Sequence, residues 1–392
     1  MRILYVVSRP LEINTSASVR NHATISGLIQ NGHQVTLVSA SPDKNHAAYD
    51  PTLSVEGADK KYFNLGGMQT VAGVGRKFKF LNRIKPFIYK LLYGSQIYDN
   101  LKGLVNFVDK INLENFDLVI SSSDPKSSHL VVDELFKKSK KQIPWIQIWG
   151  DPFADDITLQ GKKKEAVAKE ECRLLRLADK IVYVSDLTCN SQKKKYSEDS
   201  SKMNYIPIPY LTPRISGKQF PNEIKKIKLC YCGDYDSHIR NLKPLYDAVK
   251  EVGMSLQVCG MSDLELRSTD QISVLPRQTA GQVRKFEDEA DILVHLSNKR
   301  GTQIPGKIYQ YISTDRTILF ILDGDCEHLK SLFEPYQRFI FAENKKDKIK
   351  EILNNISELR EEVINEPLNS FSAKAISERI VALIDAGRDN CQ

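Results

Sequence analysis

The feature that most constrains this chain is a rhythm of short apolar runs separated by helical stretches, which breaks once and then restarts. Ile3-Leu4-Tyr5-Val6-Val7 stops at Ser8. The small-residue loop Asn14-Thr15-Ser16-Ala17-Ser18 leads to a helix over 19–30, which Asn31-Gly32 ends. A second run follows at 34–39, so strand, helix and strand make one βαβ unit of a parallel sheet. Further runs fall at 117–121, 143–148 and 180–185, with helices predicted over 128–138 and 163–178. The rhythm breaks at Ile206-Pro207-Ile208-Pro209-Tyr210-Leu211-Thr212-Pro213, whose three prolines suit a stiff linker. It resumes with runs at 227–232, 255–259, 272–275, 292–296 and 317–322. Helices are predicted at 242–251, 283–289, 307–313 and through 349–386. The expectation is an α/β chain of two Rossmann-like, doubly wound domains, 1–208 and 217–370, hinged near 206–216. The segment 371–392 is read as a C-terminal helix returning to the first domain. Such sheets bind ligands at strand carboxyl ends, so two facing domains would place the site in the cleft between them.

Composition narrows the class. The 392 residues are 41% hydrophobic and 27% charged, ordinary for a chain with packed cores, and not disordered. A net charge of +7 suits either nucleic acid or anionic phosphates handled near an anionic membrane. The seven cysteines show no zinc spacing and no disulfide framework, which fits a reducing compartment. No apolar run reaches the length of a signal peptide or membrane span, so a cytoplasmic protein, free or peripheral at the inner face of the membrane, is expected.

Four segments carry chemistry. In Ile304-Pro305-Gly306-Lys307-Ile308-Tyr309-Gln310-Tyr311, a Pro-Gly turn opens a helix whose unpaired N–H groups suit a diphosphate, with Lys307 adding a mobile positive charge. A Pro-Gly helix start with a solvated lysine is the bland alternative. In Cys232-Gly233-Asp234-Tyr235 and Arg240-Asn241-Leu242, Gly233 lets a backbone approach closely and Arg240 can grip phosphate oxygens with two N–H groups. Ser121-Ser122-Ser123-Asp124-Pro125 and Gly150-Asp151-Pro152-Phe153 follow two strands of the first domain, where their side chains would face a ligand. Asp151 is either an acid/base or acceptor-orienting carboxylate, or a turn aspartate before proline. His129 is either a sugar hydrogen-bonding group or a structural histidine. In the 14–20 segment, Ser16 keeps bulk out of the site and Arg20 can reach an anion, or the pair is simply a capped helix start with a solvated arginine.

Taken in order, these segments resemble the retaining glycosyltransferases of family 4, on the GT-B fold, over nearly the whole chain. The likeness is nearest to the branch that builds surface polysaccharides. It implies transfer of a sugar, with retention, from a nucleoside-diphosphate donor to a glycan or lipid-linked acceptor. Gly233, Arg240, Thr302, Pro305, Gly306, Lys307 and Gln310 would hold the donor. Ser16, Arg20 and Asp124 would line the acceptor side, and Asp151 and His129 would be catalytic. Thr302 and Gln310 stand where the family carries two glutamates. Gln310 retains a hydrogen-bonding amide, whereas Thr302 brings no carboxylate. No cofactor and no metal are implied, and Asp323-Gly324-Asp325 is read as a turn.

The stretch 76–93 mixes six basic residues with aromatic and aliphatic ones. It reads either as a contact with an anionic bilayer or as an amphipathic helix packed on the domain. Nucleic acid is not expected, because no nucleic-acid module accompanies it. Two rivals keep the fold and change the function: a sugar-nucleotide 2-epimerase, and a binding or scaffold protein that has lost turnover.

Overall fold

The computed structural model describes residues 1–66, 97–155, 159 and 161–388. The basic stretch 76–93 lies outside the described residues. The chain divides into two compact units, Met1–Leu211 with Ser372–Gln392, and Thr212–Phe371.

The first unit is a seven-stranded, all-parallel sheet. Its strands are β1 (Arg2–Val6), β2 (Gln34–Ala40), β3 (Asp59–Phe63), β4 (Leu118–Ser122), β5 (Trp145–Trp149), β6 (Lys180–Tyr183) and β7 (Met203–Tyr205). Their order is β3-β2-β1-β4-β5-β6-β7, so the order reverses between β1 and β4. Helices α1 (Ser16–Gln30), α2 (Ser127–Lys138), α3 (Gly161–Leu177) and α4 (Asp186–Lys195) connect them. Every residue of β4 and β5 is buried; β4 reads as an apolar and small-residue run, and β5 is apolar but for Gln147, whose Nε2 donates to Leu174 O at 2.8 Å. Ile3, Tyr5, Ile120 and Ile146 point to one face of the sheet with Ile25 and Leu28 of α1. Leu4, Val6, Val119 and Trp145 point to the other with Val131 and Leu135 of α2.

The second unit is a six-stranded parallel sheet in the order β10-β9-β8-β11-β12-β13. Its strands are β8 (Lys228–Cys232), β9 (Ser255–Cys259), β10 (Ile272–Leu275), β11 (Ile292–Leu296), β12 (Thr317–Leu322) and β13 (Phe339–Glu343). Here the order reverses between β8 and β11. The helices are α5 (Lys243–Val252), α6 (Ala280–Glu289), α7 (Lys307–Tyr311), α8 (Cys326–Phe333), α9 (Lys346–Asn354) and α10 (Ile356–Glu361). Its core joins Leu229, Tyr231, Val294 and Ile321 of the sheet to Leu245, Val249, Ile349 and Leu353 of α5 and α9.

The last helix, α11 (Ala373–Arg388), packs on α1 in the first unit. Ser377 Oγ donates to Thr24 O at 2.8 Å and Asn31 Nδ2 to Lys374 O at 2.9 Å. The contact requires a glycine: a Cβ on Gly27 would lie 1.9 Å from Ala373 O. No helix among the described residues is long and apolar enough to cross a membrane.

Candidate functional site

In a doubly wound sheet, the loops at the carboxyl ends of the strands splay apart where the strand order reverses, leaving a ready crevice. In the first unit the loops there follow β1 and β4, with that of β5 beside them. Two of the four segments singled out in the sequence, 14–20 and the paired 121–125 and 150–153 loops, arrive at this point. α1 starts at Ser16, and its cap is Thr15, whose hydroxyl accepts from Ser18 N at 3.1 Å. Ser16 is exposed, and Arg20 follows one turn later on the same face.

Arg20 is not a solvated arginine. It is only 5% exposed. Its Nη2 donates to Ser123 O and, at 3.4 Å, to Ser122 Oγ, while its Nε finds no partner. Its Nη1 lies so near Gly150 that a Cβ there would sit 2.7 Å away, and Asp124 Oδ2 is next to the same glycine. Burial lowers the Arg20 pKa from its ordinary value, while Tyr5, Asp124 and Asp151 pull it back up. Arg20, Asp124 and Asp151 therefore share one electrostatic cluster. Lys126 pairs with Asp124 and lies over the Trp149 ring.

Glu171 holds the 150–154 loop. It is fully buried, accepts from Phe153 N and from Ala154 N at 3.4 Å, and takes the Tyr196 hydroxyl at 2.6 Å. Glu171 is therefore the scaffold of this particular loop.

His129 has no exposed surface and stacks on Trp149 with ring centroids 4.3 Å apart. Ser121 Oγ accepts from Trp145 Nε1 at 2.8 Å and lies 2.7 Å from His129 Nδ1. Burial, with the charges of Lys126 and Arg20 adding to it, holds the imidazole well below its ordinary pKa. Of the two readings of His129, a sugar-bonding group or a structural histidine, the second describes its surroundings: it is a neutral ring packed beneath the loops.

In the second unit the reversal lies between β8 and β11, whose loops carry Gly233 to Arg240 and Asn298 to Gly306. The steric requirement falls on Gly260 rather than Gly233. A Cβ on Gly260 would lie 2.0 Å from Gly233 O, whereas one on Gly233 would meet only the Tyr231 hydroxyl at 3.6 Å. Arg240 is half-buried, with its Nε out of contact with water and lacking a hydrogen-bond partner. Burial raises the Tyr231 hydroxyl to about 12 against the opposing charge of Arg240. Burial, reinforced by that same charge, takes the His295 imidazole down to about 3. A guanidinium is thus aimed at the end of β8 with donor capacity in hand. Arg277, which follows β10, pairs with Asp234 beside it.

Lys307 and its helix differ from expectation in two ways. Its ammonium is on Glu287 Oε1, and Glu287, 3% exposed, also takes Arg214 Nη1 at 2.9 Å. Lys307 is therefore a paired cation, not a mobile one. Helix α7 has five residues, and the amides of Ile308 and Tyr309 are taken by Pro305 O and Gly306 O. So short a helix has little dipole, and two of its first amides are occupied. Pro305 and Gly306 form the turn as read, Thr302 is half-buried in the preceding loop and Gln310 is exposed. Asp323-Gly324-Asp325 is a turn: Asp323 Oδ2 accepts from Asn344 at 2.9 Å and Asp325 caps α8.

No family model matches the chain, and no curated protein matches it by sequence. Solved structures do match in fold. TarM superposes with a TM-score of 0.61 at 11% identity, over 98% of this chain and 99% of its own. The chain has the GT-B fold. Sucrose-phosphate synthase from Thermosynechococcus elongatus gives a TM-score of 0.52 at 13% identity, over 100% of this chain and 99% of that one. A Listeria monocytogenes protein assigned as a UDP-N-acetylglucosamine 2-epimerase gives 0.52 at 10% identity, over 99% and 97%. Two parallel α/β units are what this GT-B chain shares with them.

Proposed function

We propose that this GT-B chain is a glycosyltransferase that takes a sugar from a nucleoside-diphosphate donor and passes it, with retention, to a glycan or lipid-linked acceptor. The donor is placed on the second unit and the acceptor on the first. The observation that carries the reading is Arg240: a half-buried guanidinium at the strand-order reversal, near the backbone contact of Gly233 with Gly260, with a buried N–H lacking a partner. A diphosphate supplies the missing acceptor, and its negative charge is the one that grows as the sugar departs. Lys307 joins only by leaving Glu287, so its share is smaller. Gln310, exposed on α7, is assigned a ribose hydroxyl through its amide. Pro305 and Gly306 shape that loop, and Thr302 contributes a hydroxyl rather than a carboxylate.

On the acceptor side, Ser16, Arg20, Asp124 and Asp151 form the polar rim of the first unit. Asp151 is assigned the acceptor hydroxyl, with Glu171 fixing its loop. Stabilisation of the leaving group by arginine and lysine needs no metal. Polysaccharide assembly and a contact between 76–93 and an anionic membrane belong to the same proposal.

The test is nucleoside-diphosphate release from a panel of donor sugars, with and without glycan acceptors, for wild type and Arg240→Ala. Acceptor-dependent release that falls about 100-fold in the variant is expected. Donor interconversion without acceptor assigns the epimerase instead. Donor binding without turnover assigns the scaffold reading.

A further inference from the structure

The second unit holds a thiol cluster that the transfer reaction does not use. Residues two apart on a strand share a face, so Cys230 and Cys232 of β8 point the same way. The parallel register sets Cys232 opposite Cys259 of β9. The sulfurs follow: Cys259 Sγ lies 2.7 Å from Cys232 Sγ, and Cys230 Sγ lies 3.5 Å from it. Cys232 and Cys259 are 3% and 2% exposed. Neighbouring strands run about 4.8 Å apart, inside the Cα separation a disulfide spans. The pair ends the two strands whose next residues are Gly233 and Gly260, and Lys307 acts electrostatically on Cys259.

We propose that Cys232 and Cys259 are a reversible intrachain disulfide site, formed under a hydroperoxide or a small-molecule disulfide. With a hydroperoxide, one thiolate attacks the peroxide oxygen, giving a sulfenic acid and an alcohol or water. The second thiol then displaces that oxygen as water, so two thiols lose two electrons and two protons to the oxidant. Cys232, touching both neighbours, is the first thiol oxidised, and Cys259 resolves it. Contact among the thiols and burial both hold the two sulfurs above the ordinary thiol range, so the reaction is slow at neutral pH and speeds up in alkali. The bond would tie together the carboxyl ends of β8 and β9, on which, resting on the proposed function, the donor diphosphate lies.

The experiment treats the whole folded chain with hydrogen peroxide or oxidised glutathione, then maps peptides without reduction. The expected result is a peptide joining Cys232 to Cys259, a loss of about 2 Da, and reversal by dithiothreitol. Cys230→Ala should still form the link, whereas Cys259→Ala and Cys232→Ala should lose it while melting as cooperatively as wild type. Should either of these two variants misfold, the wild-type map and its reversal decide alone. A map with no Cys232–Cys259 link, or one joining Cys230 to Cys232, overturns the site. The map reads the bond whether or not nucleotides bind. A change in nucleotide affinity on oxidation is read separately, so failure of the donor assignment leaves the disulfide result standing.

Discussion

At the residue scale, the two glycines that end β8 and β9 differ in what they tolerate. Gly233 stood out because a glycine ended an apolar run. Gly260 ends one too, but its importance depends on a backbone contact with Gly233 that only the strand register reveals. We predict that Gly260→Ala costs about 3 kcal/mol, because the new carbon meets backbone that cannot turn aside, while Gly233→Ala costs under about 1 kcal/mol. Denaturant melts of the two variants check this, and equal losses would refute it. Lys307 was legible as a cation but not as half of an ion pair, since Glu287 lies twenty residues away on another helix. Glu171 is a similar case: its role appears only when the 150–154 loop folds over it. Removing its carboxylate in Glu171→Ala orphans two backbone amides and a tyrosine hydroxyl, and should cost about 3 kcal/mol in thermal unfolding.

At the scale of elements, strands β9 to β12 were the most legible, β11 and β12 as near-continuous apolar runs buried along their whole length. The β9, β10, β11 and β12 runs were read to the residue. Three of the four edge strands, β3, β7 and β13, were not read. β3 is Asp59-Lys60-Lys61-Tyr62-Phe63, half-exposed and charged, and pairs through backbone that a sequence pattern does not display. β13 follows the fully buried Arg338, a charge that argues against a core strand until its bonds to Thr314 O and Arg316 O are seen. Helix α7 was read two residues too long, because Ile312 and Ser313 keep the apolar pattern after the helix has turned. The docking of α11 on α1 also makes a prediction. Gly27→Ala must separate α1 from Ala373 and should cost at least about 2 kcal/mol. Hydrogen exchange should show α11 losing protection first. Unchanged protection there would contradict the packing argument.

At the scale of the whole molecule, two buried neutral histidines make stability depend on pH. His295 sits at about 3 when folded, and His129 well below its usual value, while both return to about 6.5 when unfolded. The unfolded chain therefore binds more protons as pH falls below about 6.5, and stability is lost from there down towards the folded values. By pH 5 His295 contributes about 2 kcal/mol of that loss, and His129 adds to it in the same direction. His295→Leu should therefore shrink the difference in stability between pH 7 and pH 5 by about that amount. An unchanged difference would mean that the ring is not buried neutral.

The central claim is that the second unit offers Arg240 to a diphosphate at the end of β8. Isothermal titration of the full chain with UDP, GDP, ADP and TDP tests it without any acceptor. One nucleotide should bind saturably, with Arg240→Ala weakening it at least about tenfold and Lys307→Ala weakening it less. Binding that is unchanged in Arg240→Ala, or no binding by any of the four nucleotides, would contradict the account.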